Sequence, residues 1–129
     1  MPRNASTQPT DVELQILGVL WDQGPSTARQ IHNEISKSRE TNYSTTVKML
    51  SVMLDKQLVK RDGSQRPQIF KAAATQKRTQ SKMLKDLIQK AYDGSTGSLV
   101  LQALSSQKAT SEELAEIRAM LDKLEGDKQ

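Results

Sequence analysis

Two short β-prone runs, "LVKR" at residues 58–61 and "PQIFK" at residues 67–71, flank an Asp-Gly step at Asp62 and Gly63, and they follow directly on three stretches of helical periodicity. An Asp-Gly turn between such runs is a hairpin signal. Within it, Lys60 and Lys71 alternate with Val59, Ile69 and Phe70, so one face of the hairpin packs and the other is positive. Helices first and a single hairpin after them leave few folds open to the chain.

The helices themselves are marked by their ends. "TDVE" at residues 10–13 is a capping box, in which the Thr10 hydroxyl and the Glu13 carboxylate each satisfy a backbone donor of the other. Val12, Leu14, Ile16, Leu17, Val19, Leu20 and Trp21 follow in an arc too wide for one stripe, which predicts a helix packed on more than one side. "DQGP" stops it, because Gly24 accepts a left-handed conformation and Pro25 cannot continue the ladder. Ser26 or Thr27 caps a second helix with Ala28, Ile31 and Ile35 spaced by three and four. After the polar "KSRETN", a third helix is predicted from about Ser44 to Gln57, with Ser44 as its cap. Three short helices and then a hairpin make the winged helix-turn-helix order.

Beyond Thr75 the pattern changes to helices alone. Leu84, Leu87, Ile88 and Ala91 recur at helical spacing, and "DGSTGS" breaks the run. A short apolar segment, "SLVLQALSS", contributes Leu99 and Leu101. A last helix opens with a second capping box, Thr110 to Glu113, and carries Leu114, Ile117, Leu121 and Leu124 at the spacing of a coiled-coil seam. These apolar faces have no room for a private core, so a second copy of the chain is expected to cover them. The organisation predicted is a disordered arm at residues 1–9, a winged-helix domain at 10–74 and a helical dimerisation domain at 75–129, mainly α with a small β-hairpin wing.

Composition narrows the function. Only 3% of residues are aromatic, which leaves Leu, Ile, Val, Met and Ala to build the core and favours helices. The absence of cysteine excludes a disulfide framework, a thiolate nucleophile and cysteine-ligated metal. No metal-ligand spacing or Gly-rich phosphate loop is present, so no metal and no cofactor is expected. The single histidine, His32, falls on the polar side of the second helix with no carboxylate or nucleophile beside it in sequence, and we expect no enzyme. No run reaches the roughly 18 apolar residues of a membrane span, which points to a cytoplasmic protein without a membrane partner. The formal net charge is +4, yet between Ser44 and Lys82 nine basic residues face two acidic ones, a local net of +7 that leaves −3 for the remainder. A basic middle between mildly acidic ends fits a region that faces a polyanion.

The third helix carries the chemistry. At 100° per residue, Val47, Leu50, Ser51, Leu54 and Leu58 form the face expected inside, and Thr45, Lys48, Met49, Val52 and Lys56 the face expected outside, with Tyr43 and Thr46 near the leading edge. Threonine, methionine and valine beside a lysine suit a DNA major groove, whose base edges offer hydrogen-bonding groups and thymine methyls. The hydroxyls that capping leaves over and the free N–H groups at the helix start suit phosphate oxygens, so Ser44, Thr45 and Thr46 all enter the predicted DNA-binding set. Arg61 and Arg66 flank the hairpin tip, where they can reach an adjacent backbone or minor groove. Arg29, on the second helix, completes the predicted DNA-binding set.

With these residues in view, the chain resembles the penicillinase repressor family of winged-helix repressors from about Thr10 to Leu124. The resemblance rests on "VLW" at residues 19–21, "STARQI" at 26–31, "YSTTVKMLSVMLDKQLV" at 43–59, "RPQIFKA" at 66–72 and "YDGSTGSLV" at 92–100. It implies an N-terminal winged helix for DNA and a C-terminal helical segment for dimerisation, with Thr45, Thr46 and Lys48 on the recognition helix. Met49, Met53 and Gln57 stand where the family usually has Thr, Arg and Gly. In antibiotic-responsive members, a sensor-linked protease relieves repression by cutting an Asn-Phe bond; the resemblance offers such a protease as a partner, but Gln102 and Ala103 occupy that position here and depart from the family's cleavage pair. Copper-responsive members carry a cysteine-rich tail, which this chain lacks.

The sequence therefore predicts a dimeric repressor on a palindromic double-stranded operator, controlling β-lactamase-type or other stress-response genes. The competing reading is a winged helix used for protein contact, with Met49 and Val52 as anchors; it does not require the flanking +7. Double-stranded RNA binding would not call for a helix shaped for a wide major groove.

Overall fold

The computed structural model describes residues 8–127. The start of the predicted arm, residues 1–7, lies outside them. Its elements are α1 (Asp11–Gln23), β1 (Ser26–Thr27), α2 (Ala28–Ile35), α3 (Tyr43–Asp55), β2 (Val59–Asp62), β3 (Ile69–Ala72), α4 (Gln76–Ala91), α5 (Thr96–Ser106) and α6 (Ser111–Gly126). This is a mainly helical chain with a small antiparallel sheet in winged-helix order. The chain divides into two compact units, with the boundary between Met83 and Leu84, inside α4.

The capping box at the start of α1 forms as the residues predict. Thr10 Oγ1 accepts from the Glu13 N–H at 3.3 Å, and the Glu13 carboxylate accepts from the Thr10 N–H at 2.9 Å. Thr27, of the two candidates, caps α2, in a reciprocal pair with Gln30. Gly24 ends α1 at φ 83 and ψ −170, a backbone region open essentially to glycine, and its N–H bonds Leu20 O at 2.9 Å. Ser26 and Thr27 also form a third strand, which two residues of sequence could not announce. The sheet order is β1-β3-β2, with Ser26 opposite Phe70 and Lys60 opposite Lys71. The wing is longer at its tip than a two-residue Asp-Gly turn: Asp62 pairs with Ile69, and residues 63–68 form the loop.

One core serves the first unit. Ile16, Leu17 and Leu20 of α1, Ile31 and Ile35 of α2, Leu50 and Met53 of α3, Val59 and Phe70 are all buried. At roughly 1.5–3 kcal/mol for each fully buried apolar side chain, this cluster is the main cohesive force of the unit. Half-buried Val12, Leu14, Val19 and Trp21 surround it, so α1 is indeed packed on more than one side. The Trp21 indole N–H donates to Ala74 O at 3.0 Å and ties α1 to the segment that leaves β3.

A buried ion pair joins the two ends of this architecture. Lys56 Nζ lies 2.7 Å from Glu13 Oε1 and donates to Gln8 O at 3.1 Å, which fixes the C-terminal end of α3 to the start of α1. Burial pushes the Glu13 carboxyl up, but the hydrogen bonds from Lys56 and Thr10 and the attraction of the ammonium outweigh it and hold the carboxyl below its ordinary 4.5. Lys56 therefore does not belong to the outer face expected for it. The reason is local: a lysine one turn beyond the apolar stripe found a carboxylate already fixed by its capping role.

The second unit has no buried side chain among the described residues. Leu84, Leu87, Leu101, Leu114, Leu121 and Leu124 are exposed, while Ile88, Leu99 and Ile117 are half-buried. Ser95 caps α5, and Thr110 with Glu113 closes the capping box of α6. Among the described residues no helix is long and apolar enough to cross a membrane.

Candidate nucleic-acid interface

α3 begins one residue before its expected start and ends two before its expected end, and Asn42, not Ser44, is its cap. Asn42 Oδ1 accepts from the Thr45 N–H at 2.9 Å, from Ser44 Oγ at 2.8 Å and from Thr45 Oγ1 at 2.9 Å. An amide oxygen two residues upstream outcompetes the serine because it collects three donors at once. Ser44 and Thr45 keep their oxygen lone pairs free, and both are exposed.

The helix is turned by roughly a quarter of a revolution from the orientation the sequence suggested, at 100° per residue. Thr46, Leu50 and Met53 are buried, and Met49 is half-buried against the core. Val47, at 42% exposed, and Ser51 lie outside, so neither is a core residue. Thr46 and Met49 correspondingly leave the outer face. The exposed arc comprises Ser44, Thr45, Val47, Lys48, Ser51, Val52 and Asp55. Apolar residues ring this helix almost completely, so two stripes, 47-50-54-58 and 46-49-50-53, competed on equal terms.

What decided between them was a polar partner on α2. His32 Nδ1 lies 2.9 Å from Thr46 Oγ1, which satisfies a hydroxyl that is only 1% exposed. His32 is thus half-buried at a helix–helix contact, not a free surface residue. The Tyr43 ring stands edge-on to it, with centroids 5.8 Å apart and planes at 85°. The Arg29 guanidinium lies 3.9 Å from the centroid of the same Tyr43 ring. Arg29, Tyr43, His32 and Thr46 form a ladder that fixes α3 against α2, with a cation–π contact worth about 0.5–1 kcal/mol at an exposed site. Two residues of the predicted set, Arg29 and Tyr43, are brought together by it at the start of the helix.

The wing presents Lys60 and Lys71 as directly opposed residues, both exposed. Like charges facing each other across strands repel, which an anion would relieve. The hairpin tip is ordered by its own polar groups. Asp62 Oδ1 accepts from Ser64 Oγ at 2.6 Å and from the Ser64 N–H at 2.9 Å, and these bonds, with lesser help from Lys71, hold its carboxyl below the ordinary value. Arg66 Nη1 donates to Gly63 O at 3.2 Å, and Arg61, on β2, is exposed. Among the described residues Lys48, Arg61 and Arg66 have no ion-pair partner, and they surround the helix and wing with unneutralised positive charge.

Val47 and Ser51 on α3, and the facing pair Lys60 and Lys71, are exposed on the same helix and wing but are not among the residues the sequence singled out for DNA binding. Alternation in the hairpin was sufficient to find the lysines; for Val47 and Ser51 no sequence signal separated the two stripes.

The comparisons with known proteins agree with this architecture. The family described as "Penicillinase repressor" matches residues 9–123. The penicillinase repressor of Staphylococcus aureus is 23% identical over 119 residues, which cover 92% of this chain and 94% of that protein. The match spans the winged helix and the positive hairpin and runs into the last of the three C-terminal helices, and on it the chain belongs to the penicillinase repressor family of DNA-binding transcriptional repressors.

Proposed function

We propose that this protein represses transcription as a homodimer, placing two copies of α3 in successive major grooves of a palindromic operator. The observation that carries the reading is the outer arc of α3: Thr45, Lys48 and Val52 are exposed at the leading end and middle of a helix whose other side is locked to α2. Thr45 and Lys48 supply hydrogen-bonding groups for base edges, and Val47 and Val52 supply methyl surface for thymine. Ser44, Tyr43 and Arg29 lie at the helix start, where backbone phosphates are favoured. Arg61 and Arg66 reach the adjoining backbone from the wing, and Lys60 and Lys71 add positive charge on the sheet face opposite to that of Arg61.

Dimerisation is assigned to residues beyond Met83. Leu84, Leu87, Leu101, Leu114, Leu121 and Leu124, with Ile88, Leu99 and Ile117, offer more exposed apolar surface than a small soluble chain ordinarily leaves uncovered. Release from DNA is assigned to a sensor-linked protease acting at the bond between Gln102 and Ala103. That bond is exposed within α5, and its cleavage would detach α6 with Leu114, Ile117, Leu121 and Leu124. The regulated genes are those of a β-lactamase-type or related stress response.

Selecting bound sequences from a random DNA pool tests the central claim. The expected product is a palindrome whose half-sites lie about one turn, roughly 34 Å, apart or a multiple of that. A pool that never converges would sink sequence-specific binding and favour a protein-contact role for the same face.

A further inference from the structure

At the C-terminal end of α3, roughly 20 Å along the helix from its DNA-facing start, the first unit holds a cleft of about 320 Å³. Leu17, Leu58 and Met83 give it apolar surface, and Lys56, Arg78 and Lys82 give it positive charge. Its volume is at the lower end of the range for small-molecule sites. No acidic residue lines it.

The charges are not equivalent. Lys56 is neutralised by Glu13 at 2.7 Å. Arg78 and Lys82, four residues apart on one face of α4, have no ion-pair partner among the described residues. Asp86, the next acidic group along that face, is bonded to Lys90 at 2.9 Å. Like charges at this spacing repel across a helix surface, and here they do so on the edge of a concave apolar wall. A carboxylate between them would neutralise the pair through charge-assisted hydrogen bonds, while the Leu17, Leu58 and Met83 surface takes up an apolar body. A cation would meet two unneutralised positive groups, and a wholly apolar molecule would leave the pair unrelieved.

We propose that this cleft binds a small organic anion, a carboxylate carried on an apolar body, and that it is an effector site of the protein. Because Arg78 and Lys82 belong to α4 and Lys56 follows α3, a bound anion links the helix that reads DNA to the helix that leaves the domain. The effector role rests on the DNA-binding reading above; the binding site does not.

Titration of the full chain with 4-phenylbutyrate, followed through backbone amide resonances, separates these two parts. Saturable shifts are expected at Ala73, Ala74 and Thr79, which line the cleft. The neutral 4-phenylbutyramide should bind on the order of tenfold more weakly, as should the acid to an R78Q/K82Q variant whose remaining spectrum is unchanged. No saturation at millimolar acid, equal binding of acid and amide, or shifts confined to α5 and α6 would each overturn the site. If the site stands, saturating acid should change affinity for the selected operator several-fold, measured by fluorescence anisotropy. An unchanged operator affinity would overturn the effector role alone, and failure of the protein to bind any operator would reflect on the proposed function and not on the cleft.

Discussion

Replacing Gln57 by glycine should stabilise the protein, although it removes a side chain and adds nothing. Gln57 sits directly after the cap of α3 at φ 63, in the left-handed region. Its N–H bonds Leu54 O at 3.0 Å, and the Leu58 N–H bonds Met53 O at 2.9 Å, the pair of bonds that closes a helix in the Schellman arrangement. A non-glycine residue held left-handed costs roughly 1–2 kcal/mol. Glycine returns about 0.5–1 kcal/mol of that through its larger loss of freedom on folding. The difference predicts a gain of about 0.5–1 kcal/mol, or roughly 2–8 °C in Tm for a domain of this size. Trp21 is the only tryptophan and lies in the same unit, half-buried with its N–H on Ala74 O, so its fluorescence reports the relevant transition in urea or heat. Protein concentration must be held fixed, because the proposed self-association would add its own stabilising contribution. Gln57→Ala is the control: it also removes the side chain but keeps the backbone cost, and should stay within about 0.5 kcal/mol of the parent. If the glycine variant is no more stable than the alanine variant, backbone strain at this position is refuted.

Other perturbations address the buried ion pair, α3, the wing and the second unit. Because the folded Glu13 carboxyl lies below 4.5, its stabilisation is fully present above about pH 4.5 and is lost as pH falls through the lower folded value. Glu13→Gln should therefore lower the urea midpoint near neutral pH and flatten its decline in acid; parallel acid limbs for the two proteins would remove Glu13 from the account. Thr45→Ala and Lys48→Ala should each cost on the order of 1–3 kcal/mol on the selected operator and relax its sequence preference. Equal losses on operator and random DNA would show that both touch only the backbone. Arg66→Ala should weaken all DNA binding alike and reduce the slope of log affinity against log salt by about one unit, which a mobility-shift series over salt would read; an unchanged slope would exclude a phosphate contact. Leu121→Asp with Leu124→Asp should give monomers in sedimentation, and dimers that persist would place the interface elsewhere.

The features legible in the sequence are those whose physics is local. Capping boxes at Thr10 and Thr110 need only a hydroxyl and a carboxylate three residues apart, and both form. Gly24 and the alternation around Val59 and Phe70 are equally self-contained, so the helix–turn–helix and the wing could be read without knowing what they pack against. The orientation of α3 could not. Its apolar residues run nearly all the way round, and the choice of buried stripe fell to a long-range partner, His32, that pulls Thr46 inward and leaves Val47 outside. Lys56 was misplaced for the same reason, since its partner Glu13 is 43 residues away in sequence. Asn42 took the cap from Ser44 because an amide oxygen at that position reaches three donors, a geometric advantage that residue preferences alone rank as a tie. The consequence for function is specific. Met49, where this chain departs from its family's usual threonine, is half-buried against the core and not on the outer arc. The departure therefore bears first on how α3 packs, and under the proposed function the groups left to select an operator are Thr45, Val47, Lys48, Ser51 and Val52.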